Sequence, residues 1–211
     1  MVGVIAAGGA LHTVQARTVG QWTPTAAELR TLPGYCQDRF RYGPSRKHPV
    51  IARWYRTFGD DFVHIHHFCA GLNFLNRARM ALGDKRRRAF DYQRAYGNLG
   101  YIITHVSPRF PLLPAARYYR GQALEGMGRT AEAVRDYLAA IELKPGYPPP
   151  YVALAELHRR AGRMAEARGI LERGRRSNPR SRLIARALAR LQRGGRGEAG
   201  AAPRERMREA R

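Results

Sequence analysis

The feature that most constrains this chain is a duplication at an offset of 34 residues, with Pro145 aligned on Pro179. Reading back from each proline, Gly128 pairs with Gly162, Arg129 with Arg163, and Ala131-Glu132-Ala133 with Ala165-Glu166-Ala167. Tyr137 pairs with Leu171, and Ala140 with Gly174. Such a period marks a repeat array in which each unit buries its apolar face against the next. Each unit reads as a helix, a glycine turn, a second helix and a proline stop. Gly121 and Ala155 supply the small residues where paired helices approach. Val134, Tyr137, Leu138 and Ile141 recur at helical spacing and give the second helix an apolar stripe.

The two units, ARYYRGQALEGMGRTAEAVRDYLAAIELKP and YVALAELHRRAGRMAEARGILERGRRSNP, resemble the tetratricopeptide repeat. The resemblance implies an all-α array of helical hairpins, with clear repeats at 114–147 and 148–181 and a cap helix at 182–193 carrying Leu183, Leu188 and Leu191. It also implies a concave groove for a protein or peptide, lined by the first helix of each unit: Tyr118, Gln122 and Glu125, then Val152, Glu156 and Arg159, extended by Arg186 and Arg190 of the cap. Two departures stand out, since Arg117 and Arg120 replace a large aromatic and a leucine. The Lys/Asn pattern that some family members use for a C-terminal carboxylate is absent, with Tyr118 and Gln122 in its place.

Two repeats rarely share enough core to stand alone. The sequence upstream therefore predicts a divergent hairpin within a helical domain over 64–193: a helix from His64 to Leu82, a Gly83-Asp84 turn, and a helix from Arg88 to Val106. Residues 17–63 contain Pro24, Pro33, Pro44 and Pro49 and read as an irregular wrap of loops and short helices. Residues 1–16 lack any Lys, Arg, Asp or Glu and end in Val14-Gln15-Ala16. They read as a signal segment with a small-x-Ala cleavage site, which predicts an exported or periplasmic protein, the alternative being cytoplasmic. Cys36 and Cys69 then predict a disulfide, because an even cysteine count in an oxidising compartment favours pairing. The phrase HIHHFCAGL, with its cysteine, is similar to uncharacterised exported bacterial repeat proteins, a likeness that implies no activity. Residues 194–211 read as a disordered basic tail.

Charge is the second constraint. The chain carries 38 Lys+Arg against 16 Asp+Glu, a net +22, and its only lysines are Lys47, Lys85 and Lys144. The excess is nearly absent from 111–147, with five basic and four acidic residues, and gathers at Lys85-Arg86-Arg87-Arg88 and from Arg159 onward. The four consecutive cations read as a solvated turn or an anion contact. This supports an alternative function as a polyanion binder (nucleic acid, acidic polysaccharide or anionic lipid), including peripheral contact with an anionic membrane. No recognisable nucleic-acid module is present, so specific nucleic-acid binding is not expected, and an acidic protein partner suits the same cations.

Catalytic signatures are missing. Gly126-Met127-Gly128-Arg129-Thr130-Ala131 fits a dinucleotide fingerprint in letters, but it follows a helix rather than a strand. None of the four serines lies in G-x-S-x-G, and the chain has no P-loop. His64 and His67 share a helical face and could contribute two ligands to a metal ion, although no acid on that helix completes a set. The sequence therefore predicts a non-enzymatic interaction adaptor or assembly factor with no cofactor.

Overall fold

In a computed structural model, the described residues run from 23 to 200, with side chains described to 193. The expected signal segment and residues 201–211 of the expected tail lie outside them. Among the described residues there are ten α-helices and no strand. Three short helices come first: α1 (Ala26–Arg30), α2 (Gly34–Tyr42) and α3 (Pro49–Phe58). A 3₁₀ turn, Asp60–His64, leads into α4 (Ile65–Met80), and α5 (Lys85–His105) returns antiparallel in the chain order of a hairpin. The array follows as α6 (Leu113–Gly126) with α7 (Thr130–Leu143), then α8 (Pro148–Arg160) with α9 (Met164–Ser177), then α10 (Arg182–Gly200). Each helix from α4 onward packs on its successor, and α10 also reaches back to α8.

The local causes follow the repeat. Pro114 and Pro148 stand at the starts of α6 and α8, where a missing N–H costs nothing. Gly128 and Gly162 close the first helix of each repeat at φ of 75° and 73°, a left-handed conformation that any Cβ would strain. A Cβ on Gly121 would lie 2.5 Å from the Tyr137 ring, so this glycine sets the approach of α6 to α7. Tyr137, Ala140 and Ile141 are buried, whereas Leu138, expected in the same stripe, faces outward at 38% exposure. Between repeats, the Tyr151 hydroxyl and Asn178 Nδ2 both donate to the Pro145 carbonyl, at 3.2 and 3.1 Å.

Two helix boundaries correct the sequence reading. Asp84 accepts a hydrogen bond from the Arg87 amide at 2.9 Å and so caps α5, which starts at Lys85. The four cations therefore form the first turn of a helix, not a loop. At the other end, α10 continues to Gly200, so residues 194–200 of the expected disordered tail are helical. Its buried face comprises Ile184, Ala187 and Leu191. Leu183, expected to pack as part of the cap, is 44% exposed and turns toward the concave side.

The N-terminal wrap is tied down covalently and electrostatically. A disulfide joins Cys36 of α2 to Cys69 of α4, with Cα atoms 5.6 Å apart and both cysteines fully buried. Glu28 closes a capping box with Thr25 on α1 and receives Arg77 of α4 through two hydrogen bonds, one of 2.9 Å. Tyr35, Trp54, Phe58, Phe62 and Phe110 form a chain of ring contacts beside the bridge. Tyr96 of α5 then joins this core to the array, with the guanidinium groups of Arg120 and Arg129 at 5.7 and 4.8 Å from its ring.

Candidate partner-binding groove

The first helix of each repeat and the cap helix place their inner faces around one cavity of about 670 Å³. Tyr118, Gln122 and Glu125 enter from α6, Val152, Glu156 and Arg159 from α8, and Arg190 from α10. Seven of the eight groove residues named from sequence thus line the same space. Arg186 does not line it. The lining residues Leu183, Ala187, Arg190 and Leu191 follow a 4, 3, 1 spacing, and Arg186 sits about a quarter turn away at 100° per residue.

Pairing keeps the groove's charges in place. Gln122 donates to the Tyr118 hydroxyl at 2.8 Å and accepts from Arg79 of α4 at 2.7 Å, so the upstream hairpin positions the groove's first residues. Burial raises the Tyr118 phenol to about 12 and keeps it neutral. Glu125 accepts from the Tyr137 hydroxyl and from Arg160. Glu156 is held by Arg159 at 2.7 and 2.9 Å, and that hydrogen bonding keeps its carboxyl below the usual range. Both carboxylates are therefore neutralised by arginines, leaving Arg190 as a further cation at the rim. The floor is apolar, formed by Val152, Ala155, Met164 and Leu171.

Sequence reasoning missed Arg160, Met164 and Leu183 as groove residues. Arg160 follows Arg159 directly, about 100° round the helix, and its long side chain reaches back to Glu125. The two departures from the repeat pattern also find their cause here. Arg120 grips Asp136 of α7 in a fork of 2.6 and 2.7 Å, and Arg117 adds a bond of 3.2 Å to the same carboxylate. Asp136 is buried at 2% exposure, so an ionic triad replaces the usual apolar contact between α6 and α7.

The histidine cluster is built around an aromatic ring. His67 and His105 both stack on the Tyr101 ring, each with its centroid 3.8 Å from that of Tyr101. His64 Nδ1 lies 3.4 Å from the Tyr101 hydroxyl, and His67 Nδ1 lies 3.0 Å from Asn98 Oδ1. The disulfide leaves Cys69 no thiolate, and among the described residues no three His, Cys, Asp or Glu gather around a common point.

The cluster does imply acid sensitivity. Burial, then the neighbouring charges of His67 and Arg39, push the His66 imidazole down from 6.5 to about 4. A base depressed by folding contributes stability that is complete above 6.5 and lost as pH falls toward 4. The Arg77 hydrogen bond holds the Glu28 carboxyl down from 4.5 to about 2, so its contribution is complete above 4.5 and lost toward 2. The melting temperature is therefore expected to fall in two stages on acidification, measured by circular dichroism across this range. His66→Gln should flatten the upper stage and Glu28→Gln the lower. A profile flat down to pH 4.5 would remove the histidine contribution.

Residues 124–191, about a third of the chain, match the family model described as tetratricopeptide repeat. No curated protein matches the chain.

Proposed function

We propose that this chain, whose residues 124–191 match the tetratricopeptide repeat, is a non-enzymatic adaptor or assembly factor that holds a segment of a partner protein in its concave groove. Repeats of this family generally serve protein–protein interaction rather than catalysis. The observation that carries the reading is the convergence of Tyr118, Gln122, Glu125, Val152, Glu156, Arg159 and Arg190 on one open cavity. Its apolar floor suits aliphatic or aromatic side chains, and its size lies within the range of clefts that bind small ligands. The arginine excess at the rim, continued by Arg186 on the exposed side of α10, favours a segment carrying carboxylates.

A peptide-display selection on the full chain tests this. The wild type is expected to enrich a short motif combining apolar and acidic residues. Arg190→Glu, an exposed change, should weaken binding of the selected peptides by about ten- to a hundredfold, since charge-assisted contacts contribute roughly 1.5–3 kcal/mol. Enrichment of the same peptides with undiminished affinity would count against the groove.

We further infer that the protein works in an oxidising compartment, which would accord with export. The Cys36–Cys69 bridge supports this, because such bonds persist where thiols are not kept reduced. Thiol counting on protein purified from its native compartment should find no free thiol, and two free thiols would overturn the inference.

A further inference from the structure

The tip of the hairpin between α4 and α5 contributes no residue to the groove's lining, although the neighbouring Arg79 reaches Gln122. Met80, Leu82 and Phe90 are 81%, 85% and 57% exposed, whereas the other large apolar residues exposed among the described residues all stay at or below 44%. Single exposed apolar side chains are ordinary. The three most exposed within eleven residues of one connection are not, because each leaves more than half of its surface in water.

The charge around them has one sign. Between residues 79 and 90 there are five basic residues and one acidic residue. That acid, Asp84, caps the Arg87 amide at 2.9 Å, while the Arg87 guanidinium turns inward to buried Asp91 at 2.8 Å. Lys85, Arg86 and Arg88 are exposed and, among the described residues, make no ion pair. They occupy the first turn of α5, which holds no acidic residue. A helix N-terminus carries partial positive charge, so three cations there are electrostatically unfavourable until an external anion meets them.

We propose that this tip docks on the surface of an anionic lipid bilayer, with Met80 and Leu82 entering the acyl boundary and Lys85, Arg86 and Arg88 lying among the headgroups. A bilayer is favoured over a folded partner by shape. A hairpin tip is convex, and its apolar side chains point outward rather than lining a concavity. A fluid surface accepts such a tip without a matching pocket, and requires apolar residues flanked by cations. The contact uses no groove-lining residue, which leaves the cavity open to a partner while the tip is docked.

Co-sedimentation of the full chain with phosphatidylcholine vesicles, with and without phosphatidylglycerol, tests the proposal. Binding is expected only with phosphatidylglycerol and should weaken as salt rises. Each cation near an anionic surface adds about fivefold in partitioning, so K85E/R86E/R88E should lower it by about a hundredfold. A control with equal net charge, R173E/R176E/R180E on and after α9, should lower it by no more than about fivefold. M80S/L82S keeps every charge and should still lose about tenfold. Unchanged melting curves establish that these surface variants fold.

Equal losses in the two charge variants would show a diffuse electrostatic effect and overturn the proposal. Undiminished binding by M80S/L82S would overturn it as well. If soluble polyglutamate bound through Lys85, Arg86 and Arg88 as tightly as vesicles did, the tip would be a site for acidic protein and the bilayer assignment would fail.

Discussion

Replacing Asp136 by alanine is expected to destabilise the protein by about 3–5 kcal/mol, the range for leaving a buried charge without its partner. The carboxylate receives three hydrogen bonds from Arg117 and Arg120 across the α6–α7 contact, and its side chain is only 3% exposed. Without it two guanidinium groups face each other in a partly closed space, and Arg117 Nε already has no hydrogen-bond partner there. The triad is not intrinsically better than an apolar core, since buried ion pairs often lose to hydrophobic residues of similar size. Arg117→Leu and Arg120→Leu should therefore rescue Asp136→Ala, recovering most of the loss in a denaturant melt. An Asp136→Ala change costing less than about 1 kcal/mol would mean that water already solvates the triad.

Opening the Cys36–Cys69 bridge should have a comparable effect by a different route. A bond closing 33 residues of chain removes unfolded-state entropy equivalent to about 3.7 kcal/mol on the loop-entropy relation. For a chain of this size that corresponds to a fall in melting temperature of roughly 7–15 °C. The damage should be local at first. The bridge pins α2 to α4, so amide exchange should accelerate in α2 and α3 while α8 and α9 keep their protection. Calorimetry on Cys36→Ala/Cys69→Ala measures the first effect and hydrogen exchange the second. An unchanged melting temperature would show that the aromatic contacts around Tyr35 and Phe58 already fix the wrap.

The sequence disclosed what recurs and what packs. The glycine turns at Gly128 and Gly162, the small residue at Gly121 and the buried Tyr137 all belong to a pattern with a fixed period, so comparing the two units exposes them. The residues that line the cavity were legible for the same reason, since equivalent positions on α6 and α8 face the same way. Arg186 lies off the cavity because the cap helix departs from the repeat and its rotation is set by burial of Ile184, Ala187 and Leu191. The Arg117–Asp136–Arg120 triad was hidden because its partners lie 16 and 19 residues apart and an isolated ion pair has no period. The start of α5 was obscured by its own charge: four cations oppose the helix dipole, and the Asp84 cap that outweighs them is a single residue.

The central claim is that the concave face formed by α6, α8 and α10 receives a partner segment. Amide and methyl NMR shifts of the full chain, titrated with a peptide from the display selection, test it most directly. The account predicts that perturbations concentrate at Tyr118, Gln122, Val152, Glu156 and Arg190, and that in Arg190→Glu they require at least about tenfold more peptide. Perturbations centred on the outward residues Leu138 and Leu143 of α7, with the groove signals unmoved, would contradict it.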